Sequence, residues 1–122
     1  MIPEYQISLE QGFIIVTYRG KAEFGVTDKM LREVGQLAAE SKTARVLFDM
    51  RESDSSSYHI STIRHAENSS ALGIDRRFRI ALLGAKGDPM LKYFEDVAVN
   101  RGFQVMTFVD EAEAMGWLIR AL

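Results

Sequence analysis

Six residues near the middle of the chain, Arg45-Val46-Leu47-Phe48-Asp49-Met50, constrain the fold more than any other stretch. Successive side chains of a strand point to opposite faces, so Val46 and Phe48 share one side and Leu47 takes the other. A strand that is apolar on both faces is covered on both. That is the signature of a central strand in a largely parallel sheet with helices above and below. Phe78, Ile80, Ala81, Leu82 and Leu83 make a second such segment, and Phe103, Val105, Phe108 and Val109 a third.

The remaining elements follow from periodicity and from helix punctuation. Tyr5, Ile7 and Leu9 alternate with polar neighbours, and residues 13–18 are β-branched and aromatic. Gly12 stands between them with freedom to take a positive φ, which predicts an antiparallel hairpin. Residues 20–25 read as a connector, after which Thr27 caps a helix with Asp28 in its first turn. Leu31, Val34, Leu37 and Ala38 give that helix one apolar stripe to about Ser41. A weakly amphipathic helix over 59–70 is expected to turn Ile60, Ile63 and Ala66 inward. Asp88-Pro89 opens another helix, with Leu91, Phe94, Val97 and Ala98 as its stripe and Gly102 as its left-handed stop. Asp110 with Glu113 caps the last helix, whose core side holds Ala114, Trp117, Leu118 and Leu122. The predicted order is β-β-α-β-α-β-α-β-α, in one α/β domain over 1–122. Its sheet is mixed and mostly parallel, with right-handed crossovers and one antiparallel N-terminal hairpin.

Composition narrows the function classes. The 122 residues carry 15 Lys and Arg against 17 Asp and Glu, a formal charge of −2, which argues against nucleic acid or an anionic membrane as a partner. There is no cysteine, so disulfides, thiolate zinc sites and thiol catalysis are excluded. The longest apolar runs, 13–16 and 80–83, are four residues each, against the ~20 needed to span a bilayer. Residues 1–6 lack a basic and an apolar region of the signal-peptide kind, so a cytoplasmic location is expected.

The chemistry concentrates just after the central strand, in Asp49, Arg51, Asp54, Ser55, Ser56, Ser57, Tyr58 and His59. In an open α/β sheet ligands and partners dock beyond the carboxyl ends of the strands, and a polar loop over 52–57 would lie there. Asp49 and Arg51 fall on the same side of the strand end, within reach of a charge-assisted pair. Lys86 and Asp88, at the end of the next strand, are candidates to join them around a small molecule. The serine run has two readings: a modified loop, or a solvated turn that caps the next helix.

The element order, the short strand ending in Asp49 and the closing run Phe108-Val-Asp-Glu-Ala-Glu-Ala-Met-Gly-Trp117-Leu118 together resemble the SpoIIAA-like family. That family is grouped with the STAS domains of bacterial anti-sigma-factor antagonists. The resemblance implies a regulatory, protein-binding module. It also implies that Asp54-Ser55-Ser56-Ser57 stands where those antagonists carry Asp-Ser-Ser-Gly, whose first serine is phosphorylated by a partner kinase. Ser57 replaces the glycine, the Asp49 to Asp54 spacing is shorter, and Glu52 and Ser53 replace apolar residues before the turn. These departures favour the plain capping turn over the switch.

Other constellations are less specific. Ser57 and His59 lie two apart, which on a helix faces them away from each other, and no Gly-x-Ser-x-Gly elbow is present, so no Ser-His-Asp triad with Asp49 is expected. His59 and His65 miss the i, i+4 spacing of a helical metal pair. Gly84-Ala-Lys86-Gly87-Asp88 lacks the phosphate-loop spacing and puts Asp88 where a phosphate would sit. Arg76-Arg77-x-Arg79 is the one local basic concentration, with a solvated role at the strand's start as the default. The expectation is a non-enzymatic binding module without cofactor or metal. It would dock a protein through the loop and helix after the third strand, with Ser55 or Ser56 as modification sites. The alternative is a carrier or sensor of a small apolar or anionic ligand, since Sec14-type lipid-binding domains are grouped with this family; a homodimer is compatible with either.

Overall fold

The computed structural model of the protein describes residues 4–21, 24–54, 73–86 and 89–120. Chain order within them is β1 (Glu4–Glu10), β2 (Phe13–Lys21), α1 (Phe24–Ser41), β3 (Arg45–Asp54), β4 (Arg79–Leu83), α2 (Pro89–Asn100), β5 (Gln104–Phe108) and α3 (Glu111–Ile119). The strands form one sheet in the order β1-β2-β3-β4-β5. β1 runs antiparallel to β2, and every later neighbour is parallel. This is the expected mixed, mostly parallel α/β sheet. The helix expected over 59–70, and with it His65, lies outside the described residues.

The opening hairpin is set by its two-residue turn, in which Gln11 and Gly12 both hold positive φ (53° and 83°). Such a primed turn matches the right-handed twist of the strands it joins. Glu10 then faces Phe13, and the register runs back to Glu4 against Arg19. The Thr43 hydroxyl donates to the Gly12 carbonyl at 2.6 Å, tying the turn to the segment that leads into β3.

The alternation read in β3 is realised in two cores, one on each face of the sheet. Val46 and Phe48 join Val16, Ile80, Leu82 and Val105 in the larger, beneath Met30, Leu31 and Val34 of α1 and Ala98 of α2. Leu47 joins Phe13, Ala81 and Leu83 in the smaller, beneath Ala114 and Leu118 of α3. Pro89 occupies the first position of α2, and Gly102, at φ 89°, supplies the left-handed stop after it. Asp110 caps α3 by accepting from the Ala112 amide at 3.1 Å. Asp88 and Leu122 lie outside the described residues. Gly84 is required for close approach: a Cβ there would stand 1.8 Å from Leu91 Cδ1, a side chain itself buried under α2.

Two boundaries differ from expectation. α1 starts at Phe24, so Thr27 sits inside its first turn, buried, and Asp28 pairs with Arg32 one turn on. The extra residues bring Val26 against the larger core, which outweighs the capping preference of Thr27. β3 runs on to Asp54, so Glu52, Ser53 and Asp54 belong to the strand and not to a loop. β2 is long enough to pair with them, Arg19 with Glu52, Gly20 with Ser53 and Lys21 with Asp54. Backbone pairing therefore overrode their polar character. Among the described residues no helix is long and apolar enough to cross a membrane.

Candidate functional site

Asp49 and Arg51 meet as their spacing predicts. The Arg51 Nε donates to Asp49 Oδ1 at 2.9 Å and its Nη2 to Oδ2 at 2.8 Å, a two-pronged pair. The backbone explains why the fork closes so readily. Between Thr17 opposite Asp49 and Arg19 opposite Glu52, β3 holds one residue more than β2. That bulge turns the Arg51 amide onto Asp49 Oδ1 as well, at 3.2 Å. The Asp49 side chain is 17 % exposed and that of Arg51 45 %. The Arg51 guanidinium holds the Asp49 carboxyl below the usual carboxylate range, against an upward push from burial.

Arg51 also reaches across the sheet face to Glu111 Oε1 at 3.4 Å, in the first turn of α3. One arginine thus joins the end of β3 to the start of the helix covering that face. Beside it Arg19 Nε pairs with Glu52 Oε2 at 2.7 Å. The Ser53 hydroxyl donates to the Met50 carbonyl at 2.7 Å. The result is a rim of alternating fixed charges at the carboxyl end of β3. A cleft beside it, lined by Glu4, Tyr5, Gln6, Thr17 and Arg19, encloses about 40 Å³, room for a few waters.

The structure therefore brings together Asp49, Arg51 and a residue that sequence reasoning missed, Glu111. Nothing local could have flagged it, because it lies 60 residues from Arg51. Asp54 is the last residue of β3, opposite Lys21. Lys86 lies in the turn after β4, past Leu83, the partner of Asp49 across the strands. Among the described residues it is joined to neither Asp49 nor Arg51 by a hydrogen bond or ion pair. Ser55, Ser56, Ser57, Tyr58 and His59 lie outside the described residues.

The basic run around Arg77 is dispersed into three separate contacts. Arg77 clamps Asp75, with Nη2 to Oδ2 at 2.7 Å. Arg76 donates to the Arg101 carbonyl at 2.8 Å and stacks over Phe103. Arg79 donates to the Trp117 carbonyl at 2.9 Å and lies 3.9 Å above the Trp117 ring.

A general acid or base works best when its pKa lies near the operating pH, and Asp49 is displaced the other way.

No family model and no curated protein matches the chain. Solved structures do. An uncharacterized protein with a SpoIIAA-like fold from Shewanella loihica PV-4 superposes with a TM-score of 0.60 at 18 % identity, over 95 % of this chain and 93 % of its own. An anti-sigma factor antagonist from Mycobacterium paratuberculosis gives 0.63 at 8 % identity, over 98 % and 96 %. The anti-sigma factor antagonist SpoIIAA in its unphosphorylated form gives 0.54 at 15 % identity, over 93 % and 96 %. At these identities the likeness is one of architecture, and it spans nearly the whole of each chain: the protein has the SpoIIAA-like fold.

Proposed function

We propose that the chain is a non-enzymatic regulatory module that docks a protein partner through the segment following β3, with Ser55 or Ser56 as the residue whose modification switches docking. The observation that carries this reading is the committed charge at the end of β3. Asp49 has both carboxylate oxygens on Arg51, and Arg51 divides its fork between Asp49 and Glu111. Such a surface is ionised and internally paired, suited to recognition, and it stands at the strand ends where open α/β sheets present their docking surfaces. The likeness in fold to two anti-sigma factor antagonists supports the same class of role. A phosphoryl group on Ser55 would add about −1.5 to −2 charges next in sequence to Asp54. That charge would add to those of Glu52 and Asp54, its carboxylate neighbours in sequence.

The test is mass measurement on the protein purified from its own host, native and then denatured, followed by Ser55→Asp. The reading expects one phosphoryl mass that survives denaturation and maps to 53–57. It also expects a bound protein that Ser55→Asp releases while circular dichroism stays unchanged. An added mass lost on denaturation, with no protein bound, would replace this reading with that of a small-ligand carrier. A partner retained by Ser55→Asp would remove the switch.

A further inference from the structure

A second charged surface lies at the opposite end of β3 from Asp49, and it is independent of the docking reading above. Arg45 opens β3 and Arg79 opens β4, and the two are direct partners across the parallel strands. Both precede, by two residues, the side chains of the smaller core, Leu47 and Ala81, so alternation puts them on the face that α3 covers. Arg120, the C-cap of α3, adds a third guanidinium there. Trp117 fixes Arg79, accepting from it through its carbonyl and lying under the guanidinium through its ring.

Three cations so close are normally neutralised, and among the described residues none of the three is held in an ion pair. The ion pairs among the described residues engage Arg19, Arg32, Arg51, Arg77 and Lys92, and none of these three. The end of α3, which Arg79 caps, supplies about half an elementary negative charge. Helix capping therefore accounts for one arginine and leaves most of the positive charge without a counter-charge among the described residues. Partial burial lowers the Arg79 pKa, and Arg120 and Arg45 lower it further, the mark of like charges pressed together. Exposed apolar side chains border the cluster: Met106, 42 % exposed, on β5 beside it, and Ile119, 57 % exposed, next to Arg120.

The geometry points to a docking surface for an acidic segment of a partner protein, whose carboxylates pair with Arg45, Arg79 and Arg120 and whose apolar side chain rests on Met106 and Trp117. Guanidinium forks match carboxylates two-pronged. Neighbouring strands stand about 4.8 Å apart, so Arg45 and Arg79 start side by side and Arg120 adds a third cation from the end of α3, one for each of several carboxylates along a peptide. The formal charge of −2 on the whole chain opposes long polyanions such as nucleic acid, while leaving a local cluster of cations open to a short acidic stretch.

Fluorescence anisotropy of a short fluorescein-labelled Glu-rich peptide carrying one Leu and one Phe, at low salt, tests this. Binding by the wild-type chain is expected, with a change in emission from Trp117, the single tryptophan. Arg45→Glu and Arg120→Glu should each weaken it about tenfold or more, about 1.4 kcal/mol. Arg120→Ala, a milder change at an exposed position, should weaken it in the same direction. Arg77→Glu makes the same change in net charge at an exposed arginine outside the trio and should leave binding within about twofold. Arg51→Ala should also leave it intact, which separates this surface from the one at Asp49. Three outcomes would overturn the proposal: no binding by the wild-type chain, equal loss in Arg77→Glu, or displacement by a single-stranded oligonucleotide as readily as by unlabelled peptide.

Discussion

Arg51 is the residue on which the end of β3 turns, and its removal has a sign that can be worked out. The guanidinium holds the Asp49 carboxyl below its ordinary value. A carboxyl whose pKa is lower in the folded chain than in the unfolded one contributes stability above the unfolded value, near 3.9, and loses it as pH falls through the folded value. Arg51→Ala should therefore cost about 1 kcal/mol at neutral pH, the scale of a partly exposed ion pair with good geometry. It should also bring the Asp49 carboxyl back up, and it should flatten the loss of stability on acidification below about pH 4. Urea unfolding across that range, with a carbon-13 titration of the Asp49 carboxyl, measures both effects. The pairing of Asp49 with Arg51 was legible in the sequence because two residues of one strand share a face. Its third member, Glu111, was not, because a contact across 60 residues depends on where α3 crosses the sheet. The pairing of Arg19 with Glu52 was hidden for a related reason, since it needs the bulge in β3 to bring the two into register.

Elements were legible where an apolar period or a helix stop marked them and illegible where pairing alone decided. Pro89, Gly102 and Asp110 each stand at a helix boundary that their own chemistry requires. The last residues of β3 are polar, and only the length of β2 beside them makes them a strand. The far edge of the sheet shows a different device. Among the described residues β5 has a neighbour on one side only, and an edge of that kind exposes amides that can pair with another chain. Here the Thr107 amide donates instead to Glu95 Oε1 of α2 at 2.6 Å. Burial pushes the Glu95 carboxyl up, but Lys92 and the Thr107 amide more than offset it, so the group is ionised and held as an acceptor. Glu95→Ala should leave that amide unpaired, at a cost of about 1–2 kcal/mol. Hydrogen exchange should then show Thr107 losing protection ahead of the interior strand residues Ile80 and Leu82. A variant that keeps the wild-type exchange rate at Thr107 would mean that the amide is protected by burial and not by Glu95.

At the scale of the whole molecule, the core formed by the described residues divides unequally between the two faces of the sheet, and stability should divide the same way. The face under α1 and α2 carries the larger cluster, while the other rests on Phe13, Leu47, Ala81 and Leu83 beneath Ala114 and Leu118. α3 is nine residues long, too short to persist as a helix without the surface it covers. Leu118 is fully buried at the centre of that contact, so Leu118→Ala should cost about 2–5 kcal/mol, a large share of the ~5–15 kcal/mol typical of a domain. The loss should fall first on α3, because regions with fewer buried contacts open at lower free energy than the rest. Trp117 reports that event directly. It packs against Phe108 with ring centroids 5.8 Å apart and beneath Arg79, both of which it leaves when α3 lifts. In Leu118→Ala the shift in tryptophan emission should precede the loss of far-ultraviolet circular dichroism as urea is raised, whereas in the parent chain the two should coincide. Coincidence in the variant as well would show that the smaller core is bound into a single cooperative unit with the larger, through the strands that both faces share.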